Sequence, residues 1–242
     1  MTLTVQTAIK GVLVLQFVLA GLLLIGEAGV SFTGANSPRA PSFDAPVRPG
    51  DQTRRYTRDA PTAPNRPYEM PAGLPSRLSL EPVTGNADAL ALIGTISQGD
   101  ADRIITELGR GTPELLYLNS PGGSVMDALI LGRYLREAEI DTRVTGGDIC
   151  LSACPYIFAG GTVREVAENA ALGVHQHYFG ENTFLPAFLA VEDVQRGQAE
   201  VMAHLDAMGL DVRLMQHALA TGPDDIYIFI EAELTEYRIV TD

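Results

Sequence analysis

Ser152 stands between two cysteines in "GDICLSACPYIFAGG", Gly147 to Gly161. A serine hydroxyl becomes a nucleophile only when a neighbouring base takes its proton. The sole lysine is Lys10, inside an apolar N-terminal run, so inventory alone removes a Ser–Lys pair from the rest of the chain. That leaves four histidines: His175, His177, His204 and His217. His175 closes the strand-like "ALGVHQH", and imidazole is the usual activator of serine near neutral pH. His204 and His217 fall in helical patterns and are read as structural. His175 and His177 would share one strand face, yet no third ligand stands at a recognisable spacing, so neither a metal nor a cofactor is expected. The competing reading of Ser152 is a plain helix N-cap ahead of the apolar run, and Pro155 is tolerable only in a first helical turn.

A second stretch, "LNSPGGS" (Leu118 to Ser124), could also carry chemistry. Gly122 and Gly123 can take backbone angles closed to other residues and leave amides pointing at an anion. Alone, the motif fits a tight turn or a phosphate cradle equally well.

Both stretches must sit where strands hand over to helices, because sites in α/β folds form at the carboxyl ends of strands. The apolar run "ALALIGTI" predicts a strand, and "QGDADRIITELGRG" a helix capped by Asp100 and ended by Gly109 or Gly111. The alternation repeats. "ELLYLNS" predicts a buried strand, and "GGSVMDALILGRYLREAE" an amphipathic helix with Val125, Ala128, Leu129, Leu131 and Leu135 inward. The strand candidates "DTRVTG", "TVREVAE" and "ALGVHQH" follow, then a long helix over "AVEDVQRGQAEVMAHLDAMGL" and a second over "DVRLMQHALATG", capped by Asp211. The chain closes on "DDIYIFI", the short helix "EAELTEY" and "RIV". Strands alternating with helices imply βαβ units on a mainly parallel sheet, an α/β fold.

Composition divides the 242 residues into three parts. Residues 1–30 hold an apolar run, uncharged from 11 to 26, that is slightly short of the roughly 20 residues needed to span a bilayer. It is read as an anchor in preference to a cleaved signal, the small-residue cleavage candidates after Ala28 or Ala35 being weak. Residues 31–79, rich in Pro and Arg, read as a disordered tether. Residues 80–242 form the folded domain. From Leu78 onward nine arginines face twenty-five carboxylates, a net −16, whereas residues 1–77 carry +3. So acidic a domain argues against nucleic acid as a partner. Two cysteines are too few for a disulfide scaffold or a zinc site. At the spacing of a full helical turn they rarely meet disulfide geometry, so two buried thiols are expected, with pairing left open in an oxidising compartment.

Taken in order, "YLNSPGGSVMDALILGRYL", "CLSACPYIFAGG", "AALGVHQH" and "QRGQAEVMAHLDAMGL" resemble the Clp protease proteolytic subunit (ClpP) and its relatives in the crotonase-like superfamily. The resemblance covers about Leu90 to Val240 and is nearest to the membrane-tethered or periplasmic bacterial branch whose serine sits in a Ser-Ala-Cys context. It implies a ClpP/crotonase-like spiral of ββα units with a long handle helix. It also implies serine peptidase chemistry: Ser152 as nucleophile, His175 as general base, and the amides of Gly123 and Ala153 as oxyanion hole. The third member matches less well, since a one-residue gap leaves Asp225, or Asp224, as the orienting carboxylate.

These features together lead to the expectation of a membrane-tethered serine protease or related hydrolase. It would be held by a single transmembrane helix in the bacterial inner membrane, with its globular domain in the periplasm and polypeptide as substrate. An apolar anchor replaces the loops that engage an unfoldase ring, so no unfoldase partner is expected; a homo-oligomer is left open. The alternative is a catalytically weak or inactive module of the same fold that binds peptides or oligomerises at the membrane. Acyl-CoA chemistry of the crotonase type would leave Ser152 and His175 without a role.

Overall fold

The computed structural model describes residues 10–20, 68–176 and 187–241. They fall in two units, one within residues 1–59 and one within 60–242. In the first, residues 10–20 form helix α1, with every side chain exposed. Among the described residues no helix is long and apolar enough to cross a membrane. The anchor expected over residues 1–30 extends beyond α1 on both sides, outside the described residues.

The second unit is mixed α/β. Its larger sheet runs in the order β1 (Ser79–Val83), β2 (Asn86–Ile93), β3 (Leu115–Asn119), β4 (Asp141–Val144) and β6 (Arg164–Val166). Strands β2, β3, β4 and β6 are parallel, and β1 closes one edge as the antiparallel arm of a hairpin with β2. An edge is the place where Pro82, which cannot donate to a ladder, is tolerated in a strand. The smaller sheet holds β5 (Ile149–Leu151), β7 (Ala171–Val174) and β8 (Tyr227–Ile228). There β5 and β7 are parallel, and β7 and β8 antiparallel. The helices are α2 (Asp100–Leu108), α3 (Val125–Glu137), α4 (Cys154–Ala159), α5 (Ala187–Ala207), α6 (Met215–Ala220) and α7 (Glu231–Glu236).

The core agrees with the helical period. In α3 the buried residues include Ala128, Leu129, Leu131 and Leu135, with Val125 partly buried against the same core. Ser124 caps this helix by accepting from the Asp127 amide, 3.3 Å.

Ordered structure begins ahead of residue 80. Leu78 is buried and Ser79 already opens β1. The reason lies in Asp100, which is the first residue of α2 and not its cap; Gly99 occupies the cap position. The Asp100 side chain is wholly buried, receives Arg77 at 2.7 Å and Arg103 at 2.8 Å, and accepts from the amides of Leu78 and Ser97. Desolvation would raise the pKa of this carboxyl, but Arg103, the two amides and Arg77 outweigh it and hold the group below its ordinary range.

A second buried charge joins three helix ends. Arg164 donates to the carbonyls of Ile239 (2.8 Å), Gly161 (3.1 Å), Arg238 (3.1 Å) and Met208 (3.5 Å). Arg136 donates to Gly160, Ala159, Gly161 and Met208. These carbonyls belong to the carboxyl ends of α4, α5 and α7, where helix dipoles leave partial negative charge and unpaired acceptors. Burial, and then the nearby Arg136, bring the Arg164 guanidinium down to about 10.

Candidate active site

Register brings the serine stretch and the histidine strand together. In the β5–β7 pair Leu151 lies opposite Gly173, and the next amide, Ser152 N–H, donates to the Gly173 carbonyl at 3.0 Å. Strand β7 ends at Val174, so His175 leaves it beside Ser152 at the shared carboxyl end of two parallel strands. There Ser152 Oγ and His175 Nε2 are 2.7 Å apart, and both residues are half-buried.

Ser152 is not the helix cap. Ala153 holds that position, without a side-chain cap bond, and Pro155 lies in the first turn of α4. Ser152 itself adopts φ 61°, one of three positive-φ residues other than glycine among the described residues. The left-handed conformation costs an L-residue about 1–2 kcal/mol. It turns the chain from strand to helix so sharply that the hydroxyl projects at the apex, the device of a nucleophile elbow.

The two cysteines overturn the expectation of buried thiols. They form a disulfide, with Cα atoms 5.1 Å apart. The expectation failed because it assumed helical geometry between them; Cys150 is instead the middle residue of β5 and Cys154 the first of α4. The left-handed Ser152 folds one back on the other, and the bridge spans the turn that carries the hydroxyl.

The glycine loop packs against this elbow. A Cβ on Gly122 (φ +97°) would lie 2.5 Å from the Leu151 carbonyl oxygen, 2.6 Å from Ser152 Cβ and 2.9 Å from the Ala153 nitrogen. A Cβ on Gly123 would lie 2.1 Å from the Ile96 oxygen. The loop is anchored from below: Ser120 N–H donates to Ile149, Leu151 N–H donates to Ser120, and Gly122 N–H donates to Ser120 Oγ. Ile96 N–H donates to the Gly122 carbonyl and Ser124 N–H to the Ile96 carbonyl, which turns the intervening Gly123 amide away from Ile96. Among the described residues neither the Gly123 nor the Ala153 amide has a protein acceptor.

Asp225 is placed differently from the other named residues. It is exposed, as is Asp224, and its amide closes a turn by donating to the Gly222 carbonyl at 3.1 Å. Neither carboxylate is bonded to the imidazole. The Nδ1 of His175 instead lies 3.1 Å from the carbonyl oxygen of Pro223. A carbonyl can only accept, so Nδ1 carries the proton and Nε2 presents its lone pair to the serine hydroxyl. The role of Pro223 was not legible in the sequence, because any residue carries a carbonyl; only a proline-led turn close after the helix "DVRLMQHALATG" hinted at it.

Two of the remaining histidines, His204 and His217, have structural roles. His204 is buried and its Nε2–H donates to the Tyr156 carbonyl at 2.9 Å. Burial lowers its pKa. His217 stacks on Tyr227 at 4.1 Å between ring centres and lies 2.9 Å from the Tyr237 hydroxyl. His177 lies outside the described residues. No protein-family model and no curated protein matches the chain.

Proposed function

We propose that the chain is a serine hydrolase of the peptidase type that cleaves polypeptide with Ser152 as nucleophile and His175 as general base. The observation that carries this reading is the 2.7 Å contact between Ser152 Oγ and His175 Nε2 at a strained elbow, next to two amides that have no acceptor among the described residues. In the proposed reaction Ser152 Oγ attacks the scissile carbonyl carbon while Nε2 takes the hydroxyl proton. The Gly123 and Ala153 amides receive the oxyanion, and the imidazolium then returns its proton to the leaving amine. Water repeats the sequence to release the acyl group.

The same proposal includes the finer fold, a ClpP/crotonase-like spiral with α5 as handle helix, and a membrane-tethered domain on the periplasmic side. The disulfide supports an oxidising compartment, since such bonds are rare in reducing ones. One observation favours the alternative of a catalytically weak binding module: among the described residues no carboxylate is bonded to His175.

The test is covalent labelling of the full-length protein with a fluorophosphonate, followed by peptide mapping. An adduct on Ser152 that disappears in Ser152→Ala and in His175→Ala is expected. Its absence from pH 6 to 9 would leave the binding module as the better reading.

A further inference from the structure

Resting on that reading, we infer that His175 is oriented by the main-chain carbonyl of Pro223, that Gln176 is the positioning residue holding this carbonyl in place, and that the carboxylates of Asp224 and Asp225 are dispensable. Pro223 and Asp224 are the central residues of a turn closed by the 3.1 Å bond from Asp225 N–H to the Gly222 carbonyl. In a turn of this kind the closing bond uses the first carbonyl and leaves that of the first central residue unspent. That free carbonyl belongs to Pro223, and it faces His175 Nδ1 at 3.1 Å. Pro is well suited to the position because its fixed φ matches the first central residue.

The turn is tied to the base by the residue next to it in the chain. Gln176 N–H donates to the Thr221 carbonyl at 3.0 Å, and Gln176 Nε2 donates to the Leu219 carbonyl at 2.8 Å. Thr221 is fixed in turn through its hydroxyl and amide, both donating to the His217 carbonyl, at 2.8 and 3.1 Å. One residue thus ties two points to the end of β7, next to the Nδ1 contact: its side chain holds the last turn of α6 at Leu219, and its amide holds Thr221 in the segment that leads to the Pro223 turn. A neutral acceptor performs the orienting half of a triad carboxylate's work, selecting the tautomer and ring direction, without adding a charge.

The experiment measures the rate of fluorophosphonate labelling in full-length protein by intact mass. In that step Ser152 Oγ bonds to phosphorus, fluoride leaves, and the hydroxyl proton passes to His175 Nε2. Asp224→Asn, Asp225→Asn and their combination are expected to label within about 2-fold of the unsubstituted protein, as exposed substitutions do. Gln176→Met, which keeps the bulk and loses the donor, is expected to label about 10-fold more slowly while its unfolding midpoint falls only slightly, as the loss of one hydrogen bond requires. The low-field Nδ1–H proton resonance of His175 supplies a second readout that needs no turnover. It is expected to persist in Asp225→Asn and to broaden or shift in Gln176→Met.

A carboxylate that orients the imidazole would cost about 10,000-fold when replaced by its amide. A loss of that order in Asp224→Asn or Asp225→Asn, or a Gln176→Met protein with unaltered rate and resonance, overturns the inference. If the unsubstituted protein takes no label, the hydrolase reading falls, while the resonance still decides the orientation: unmoved by Asp225→Asn it supports the carbonyl, moved it excludes it.

Discussion

Replacing Gly122 by alanine probes how tightly the glycine loop supports the serine elbow. The residue has φ +97°, and an added Cβ would meet the Leu151 carbonyl oxygen at 2.5 Å, Ser152 Cβ at 2.6 Å and the Ala153 nitrogen at 2.9 Å. Two of these three are backbone atoms, so no flexible side chain can give way. The positive φ costs about 1–2 kcal/mol, and the overpacking adds about 1–3 kcal/mol. Gly85 separates the two effects, because it has φ +85° with nothing within 4 Å of its Cβ position. Gly85→Ala is therefore expected to lose about 1 kcal/mol and Gly122→Ala about 3 kcal/mol in urea unfolding followed by circular dichroism. The same push against Ser152 should slow fluorophosphonate labelling by about 100-fold, the effect of displacing a reacting atom by about 1 Å. Equal stabilities for the two variants, together with an unaltered labelling rate in Gly122→Ala, would refute the packing argument.

Three further outcomes are expected. Removing the disulfide with Cys150→Ala and Cys154→Ala opens a five-residue loop and should cost about 2 kcal/mol in the same assay; dithiothreitol should lower the melting temperature of the parent and leave the double variant unchanged. Arg164→Met strands the Arg238 and Ile239 carbonyls at the end of α7, while Arg136 still reaches Gly161 and Met208, and should destabilise by about 3 kcal/mol, with Arg164→Lys failing to restore it because an ammonium cannot fan out to the four carbonyls that Arg164 reaches. His204 and His217 are both lowered from 6.5, chiefly by burial, so the unfolded chain takes up their protons first. Their stabilising contribution should be complete above about pH 6.5 and decline as pH falls below it; urea midpoints between pH 7.5 and 5 should show this slope, and His204→Gln should flatten it.

Much of the architecture was legible because it is written in local periodicity. The five α3 positions read as inward repeat at the helical period, and all but Val125, which is partly buried, prove fully buried. Asp211 caps the turn over Val212–Leu214 through the Arg213 amide, as its position ahead of that helical stretch suggested. Strand β1 escaped notice because "SLEPV" carries Glu and Pro, residues that only its edge position makes tolerable. The reading of Asp100 as a cap missed its burial, because Arg77, twenty-three residues away, completes its surroundings.

For the candidate site, inventory already narrowed the base to histidine, and order along the chain singled out Ser152 and His175. Residue types and short spacings are local properties that need no third dimension. The folded chain decided three other matters: that Ser152 is an elbow and not a cap, that Cys150 and Cys154 meet, and that the Nδ1 partner of His175 is the Pro223 carbonyl. Each depends on one backbone angle or on a contact between segments up to 48 residues apart. A main-chain carbonyl in particular leaves no mark in the sequence, since every residue carries one and only tertiary packing selects which of them faces the ring.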